Sequence, residues 1–159
     1  LYQIDTIRFG GTTKTIRKSV WIAGMGVLLA TTTAMAQPSD RVLDAIQQVE
    51  SSGVANPPDG DGGKAIGVFQ IHKAYFLDAQ EKDKSLASHK WEECRTDPEL
   101  SRRVVIAYLT AFAGKNASDE DCARVHNGGR NIMKKRGGKA WINTTKYWGK
   151  IKKVLKTAS

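Results

Sequence analysis

Between Pro57 and Gly67 the chain reads Pro57-Pro58-Asp59-Gly60-Asp61-Gly62-Gly63-Lys64, a stretch so dense in turn formers that no helix passes through it. The apolar run Ile66-Gly67-Val68-Phe69-Gln70-Ile71 follows at once and carries almost the only strand signal in the sequence. Nearly everything else with regular hydrophobic spacing has the helical period, which bounds the chain to a mainly helical α+β fold with one short strand or hairpin. Ser39 is placed to cap a helix whose apolar positions Val42, Leu43, Ile46 and Val49 share one face, with Glu50 in its last turn and Gly53, Pro57 and Pro58 ending it. Asp97-Pro98-Glu99 opens a second helix, striped by Leu100, Val104, Val105, Tyr108, Leu109 and Phe112, which is the expected central buried helix. Ser118 and Asp121 form a capping-box pattern for a short helix through Cys122, Ala123 and Val125 that stops at Asn127-Gly128-Gly129. Tyr147, Trp148, Ile151, Val154 and Leu155 make an amphipathic C-terminal helix with Lys150, Lys152, Lys153 and Lys156 on its other face.

Not all 159 residues belong to that domain. Lys14, Arg17 and Lys18 precede a short apolar run at residues 20–30, and Ala34-Met35-Ala36 follows, the order of a basic region, an apolar core and an A-x-A cleavage site. The run is too short to span a bilayer, which needs ~20 residues. Residues 1–36 are therefore expected to be a signal peptide with a leader extension and residues 37–159 the working domain, secreted or periplasmic, without stable membrane insertion. A formal charge of +9 points to an anionic partner: nucleic acid, a membrane surface or the cell wall. Two cysteines are too few for a disulfide scaffold or a thiolate zinc site, and the three histidines are isolated from one another, so no metal and no cofactor are expected. After export, Cys94 and Cys122 are expected to form one bridge, contributing ~3–4 kcal/mol by chain entropy.

Few groups are suited to chemistry. There is no phosphate loop and no serine elbow. Glu50 at a helix end and Asp59 or Asp61 in the glycine-rich turn are spaced so that a returning loop brings two carboxylates to one cleft. Glycosidic cleavage uses such a pair: an acid that protonates the leaving oxygen and a carboxylate that attacks or stabilises the oxocarbenium-like centre. Val49 and Phe69 are expected to supply a poorly solvated wall that raises the Glu50 pKa, with Asp61 hydrated and ionised. Spacing alone also fits two solvated surface acids.

The ordered set Val49-Glu50-Ser51-Ser52-Gly53, Gly67-Val68-Phe69-Gln70-Ile71, Tyr75-Phe76-Leu77-Asp78, Trp91, Cys94, Cys122 to Gly129 and Tyr147-Trp148-Gly149-Lys150 resembles the invertebrate-type (i-type) lysozyme and destabilase family from about residue 42 to 152. The resemblance implies a small α+β lysozyme-like fold with a short β-hairpin beside the catalytic helix. It also implies an antimicrobial type of glycoside hydrolase, a muramidase that cuts the β-1,4 bond between N-acetylmuramic acid and N-acetylglucosamine in peptidoglycan. Glu50 matches the family's catalytic acid. Asp59 and Asp61 straddle the position of its aspartate; Asp61 is chosen because Gly60, Gly62 and Gly63 let the backbone bend close to the cleft, with Asp59 the alternative. Substrate contacts are expected from Gln70, Tyr75, His126 and Asn127, although Gln70 equally suits a backbone-satisfying role and His126 a helix end. Trp91, Trp141 and Trp148 suit either sugar stacking or packing. Animal members are densely cross-linked and this chain has two cysteines, so its stability must come mainly from the helical core. The isopeptidase activity credited to some members is linked to serines where Gly63-Lys64-Ala65-Ile66 stand here, so that nucleophile is missing.

Ten basic side chains and no acidic one lie between Val125 and Ser159, which suits peptidoglycan and anionic wall polymers. Two other readings remain at this level. A lytic transglycosylase shares the helix-terminal Glu and the Gly-x-x-Gln strand. A non-catalytic basic module would bind wall or nucleic acid, although no specific nucleic-acid signature is present.

Overall fold

The computed structural model describes residues 37–157 together with Thr6–Phe9 and Thr12–Thr15. The chain divides into two compact units, Leu1–Thr33 and Ala34–Ser159. In the first, β1 (Thr6–Phe9) and β2 (Thr12–Thr15) pair antiparallel with Thr6 opposite Thr15. The apolar run and A-x-A site of the expected signal peptide lie outside the described residues.

In the second unit the helix starts fall where their capping residues stand. Ser39 accepts from the Val42 amide and opens α1 (Asp40–Ser51), Asp97 accepts from the Leu100 amide and opens α3 (Pro98–Phe112), and Ser118 and Asp121 close a full capping box on α4 (Asp119–Gly128). Each cap satisfies amides that a helix start leaves unpaired. α2 (Lys73–Lys82) is a helix that the sequence does not announce; its N-cap is His72, which makes no capping bond, and only Phe76 and Ala79 of α2 are buried. α5 runs from Lys139 to Thr157, about two turns longer at its N-terminus than its apolar stripe indicated. α1, α4 and α5 pack together, α2 lies on α3, and the core joins Leu43, Ile46, Phe69, Phe76, Leu109 and Ile151, all essentially inaccessible. Arg124, itself buried and paired with Glu120 on its own helix, pins α4 to α5 by donating to the Trp141 carbonyl and Thr144.

The run from Ile66 to Ile71 is not one strand. β3 (Ala65–Ile66) and β4 (Ile71–His72) pair antiparallel, and the residues between them form the turn. Gly67 has φ +70°, and a Cβ there would collide with the Cys94 carbonyl oxygen, so the position needs glycine on both counts. Gly67→Ala is expected to cost at least ~2 kcal/mol of unfolding free energy through strain and overpacking. Denaturant melts of the two proteins check this; equal midpoints contradict it.

Cys94 and Cys122 are free and buried, which corrects the expected bridge. Cys94 sits in a 3-10 turn (Trp91–Arg95) whose Cys94 carbonyl accepts from Ser101 of α3, whereas Cys122 is in α4 near Tyr75. Each fills core space as a small apolar side chain. Burial pushes both thiols up to about 11. Thiol labelling is therefore expected to find two reactive cysteines in the unreduced, unfolded protein and almost none in the folded one. Absence of free thiol after unfolding contradicts this arrangement.

Candidate active site

α1 carries Glu50 to the junction with α4 and α5. Tyr147 of α5 donates its hydroxyl to Glu50 Oε1 at 2.6 Å, and His126 Nε2 of α4 stands 3.6 Å from the same oxygen. The Glu50 side chain keeps one fifth of its surface exposed and that of His126 only 6%. Burial pushes the Glu50 carboxyl up, but His126 by contact and charge, the Tyr147 hydroxyl and the charge of Lys150 together outweigh it, and the net pKa is lowered from 4.5. This corrects the expectation that a poorly solvated wall raises it: burial acts in that direction, but three polar neighbours decide the sign.

The linkage consequence has a definite direction. A carboxyl whose folded pKa lies below its unfolded value contributes stability that is fully present above about pH 4.5 and is lost as pH falls through the folded pKa. Glu50→Gln removes that contribution. The stability difference, wild type minus variant, is thus expected to shrink on acidification below pH 4.5, read from melts across pH. A difference that stays flat contradicts the assigned network.

Behind His126 lies Tyr75 of α2, with its hydroxyl 3.2 Å from Nδ1 and its ring stacked on Tyr108 at 3.5 Å and 16°. Burial holds the Tyr75 phenol well above its ordinary pKa, so it stays protonated, and its hydroxyl, able to donate or accept, pairs with Nδ1 and holds the ring with Nε2 toward Glu50. Tyr75, His126 and Asn127 line a polar cleft of about 440 Å³ together with His72, Asp78 and Arg130. Arg130 is itself paired with Asp78 at 2.7 Å.

Both candidates for a second carboxylate, Asp59 and Asp61, lie in the loop before the hairpin. Asp61 opens a 3-10 turn (Asp61–Gly63) with φ +49°, its side chain 67% exposed and 3.8 Å from Nε2 of His72, which lines the cleft. Asp59 is engaged elsewhere: the Arg95 guanidinium grips it with Nη2 at 2.9 Å and Nε at 3.1 Å, and Arg95 first by hydrogen bonding holds its carboxyl below the usual range. Gln70 gives its amide nitrogen to the Pro58 and Gly67 carbonyls at 3.3 and 3.1 Å, the backbone-satisfying of its two readings. Its amide oxygen lies against Gly60, where a Cβ would collide with it. Gln70 thereby ties the Asp61 loop to the hairpin.

The structure thus joins Glu50, His126 and Tyr75 directly and sets Asn127 on the same cleft, with Asp61 facing that cleft's His72. Trp91 donates to the Ile71 carbonyl at 2.8 Å, and the guanidinium groups of Arg124 and Arg136 lie over the Trp141 ring, at 4.3 and 5.0 Å from its centroid. Both rings are thus engaged within the fold. Sequence reading missed Tyr147 as a partner of Glu50, His72 as a partner of Asp61 and Arg95 as the clasp on Asp59. The Tyr147-Trp148 pair was visible as a motif, but its apolar spacing assigned it to the core.

The destabilase family profile matches residues 39–154. A lysozyme of Ostrea edulis is 32% identical over 131 residues, covering 79% of this chain and 88% of the relative. Lysozyme 1 of Crassostrea virginica is 28% identical over 90 residues, 55% of this chain and 43% of the relative. A chain in the crystal structure of Aeromonas hydrophila PliI in complex with Meretrix lusoria lysozyme superposes with a TM-score of 0.57 at 30% identity, covering 73% of this chain and 89% of the other. With the profile reaching every helix of the second unit and a relative of 32% identity over 79% of the chain, the chain belongs to the destabilase family of invertebrate-type lysozymes.

Proposed function

We propose that the protein is an exported muramidase that hydrolyses the β-1,4 bond between N-acetylmuramic acid and N-acetylglucosamine, with peptidoglycan as substrate. The observation that carries this reading is the largely buried Glu50, held by Tyr147 and by His126, which itself lines a polar cleft. The relatives named lysozyme support the reaction class, and the basic, apolar and A-x-A order at residues 14–36 supports export.

Glu50 serves as the general acid. In the resting site His126 and Tyr147 favour its ionised form; a sugar lying over it strips water from the exposed fifth and favours the neutral acid. Its proton then passes to the glycosidic oxygen as the C1–O bond breaks. Asp61, hydrated and paired with no guanidinium among the described residues, meets the positive charge at C1, and water completes hydrolysis. Tyr75 and Asn127 border the sugar, Tyr75 also holding the His126 ring in place. Gln70 positions the loop. Clearing of cell walls by wild type and by Glu50→Gln tests the assignment. Mass spectrometry of the products tests the class, because a hydrolase leaves reducing ends and a transglycosylase anhydro-muramyl ends.

A further inference from the structure

The charge of α5 is carried on a line. Lys139, Lys146, Lys150 and Lys153 are all exposed, and helical geometry puts them within about 60° of one another over about 21 Å. No acid interrupts the sequence from Val125 to Ser159. The nearby arginines are already engaged, Arg130 with Asp78 and Arg136 with Asp121, whereas none of these four lysines has an ion-pair partner among the described residues. Like charges one turn apart, such as Lys146 and Lys150, cost a helix stability, a cost that a bound polyanion reverses.

The rest of the helix limits what that anion is. Tyr147, Ile151 and Leu155 are buried in the core, so α5 has no free apolar face to lay into a lipid surface; Ile142 is its one large exposed apolar side chain. Trp141, the aromatic closest in sequence to the start of the line, carries the guanidinium groups of Arg124 and Arg136 over its ring, so it is not a free platform on which a base could stack. What remains is an extended track of point charges, suited to a linear polymer with anions at intervals. The track also passes the active site: Lys150 is one turn from Tyr147 and close enough for its charge to act on Glu50.

We propose that Lys139, Lys146, Lys150 and Lys153 form a docking track for a linear phosphodiester polyanion of the cell wall, of the teichoic kind. Such a polymer is attached to glycan, and its docking delivers that glycan beside Glu50. Only this delivery rests on the muramidase reading; binding itself does not need Glu50.

The test measures anisotropy of fluorescently labelled poly(glycerol phosphate) with wild type, Glu50→Gln and the triple variant Lys139→Gln/Lys146→Gln/Lys153→Gln, leaving Lys150 in place because it acts on Glu50. The triple variant is expected to bind at least ~10-fold more weakly at low salt, with a log–log salt slope shallower by ~2–3, while Glu50→Gln binds like wild type. Digestion of walls bearing the polymer is expected to slow by ~10-fold in the triple variant, and digestion of walls stripped with hydrofluoric acid to be unchanged, as loss of charge steering predicts. Circular dichroism verifies folding, and a Lys→Glu version of the same variant must bind more weakly still. Triple-variant binding equal to wild type overturns the proposal. So does wild-type preference for phosphatidylglycerol vesicles or duplex DNA over the polymer at matched phosphate. If the muramidase reading fails instead, no wall is digested by any of the proteins while the binding differences persist.

Discussion

Glu50→Gln is expected to lower turnover on peptidoglycan by at least ~1,000-fold, about 4 kcal/mol of transition-state stabilisation, with the fold unchanged. The amide has the shape of the carboxyl and still accepts from Tyr147, so the junction of α1 with α5 keeps its closest polar contact. It has no acidic proton to give to a leaving oxygen. Matched kinetics, with circular dichroism as the control for folding, check the result. Wild-type-like clearing by the variant contradicts the assignment of the acid.

The second large effect separates the two aspartates. Asp61→Asn is expected to cost at least ~100-fold in turnover, about 2.7 kcal/mol, and Asp59→Asn less than ~10-fold. Asp61 sits at φ +49°, a conformation that Asn tolerates as well as Asp, so the change removes charge with little backbone penalty. Asp59 has its charge committed to Arg95, and an Asn oxygen there still accepts one of the guanidinium bonds. The reverse ranking transfers the role to Asp59. Two near-neutral variants favour transglycosylase chemistry, which needs no aspartate.

How far the sequence revealed this arrangement depended on the range of the interactions. Ser39, Asp97 and Ser118 announce α1, α3 and α4 because a cap acts within three residues of itself. α2 carries no such sign: His72 makes no capping bond, and only Phe76 and Ala79 mark its buried face. The apolar run at the hairpin reads as one strand because Val68 and Phe69 are buried inside a turn, which is set by positive φ at Gly67 and Gln70. Glu50 and Asp61 could be singled out as candidates by residue type and spacing, but their surroundings could not. Tyr147 reaches Glu50 from 97 residues away and Arg95 reaches Asp59 from 36. These long-range contacts reverse the expected sign of the Glu50 shift and occupy the Asp59 carboxylate. The cysteines failed for the same reason: export chemistry favours a bridge, whereas packing seats Cys94 against α3 and Cys122 beside Tyr75.

The central claim is that Glu50 drives hydrolysis of the muramyl bond, and one digest tests it most directly. Purified peptidoglycan is treated in ¹⁸O-labelled water with wild type and with Glu50→Gln, and the released muropeptides are resolved by mass spectrometry. The predicted result is reducing muramic acid ends carrying ¹⁸O from wild type and essentially none from the variant. Anhydro-muramyl ends without label, or equal release by the variant, would contradict it.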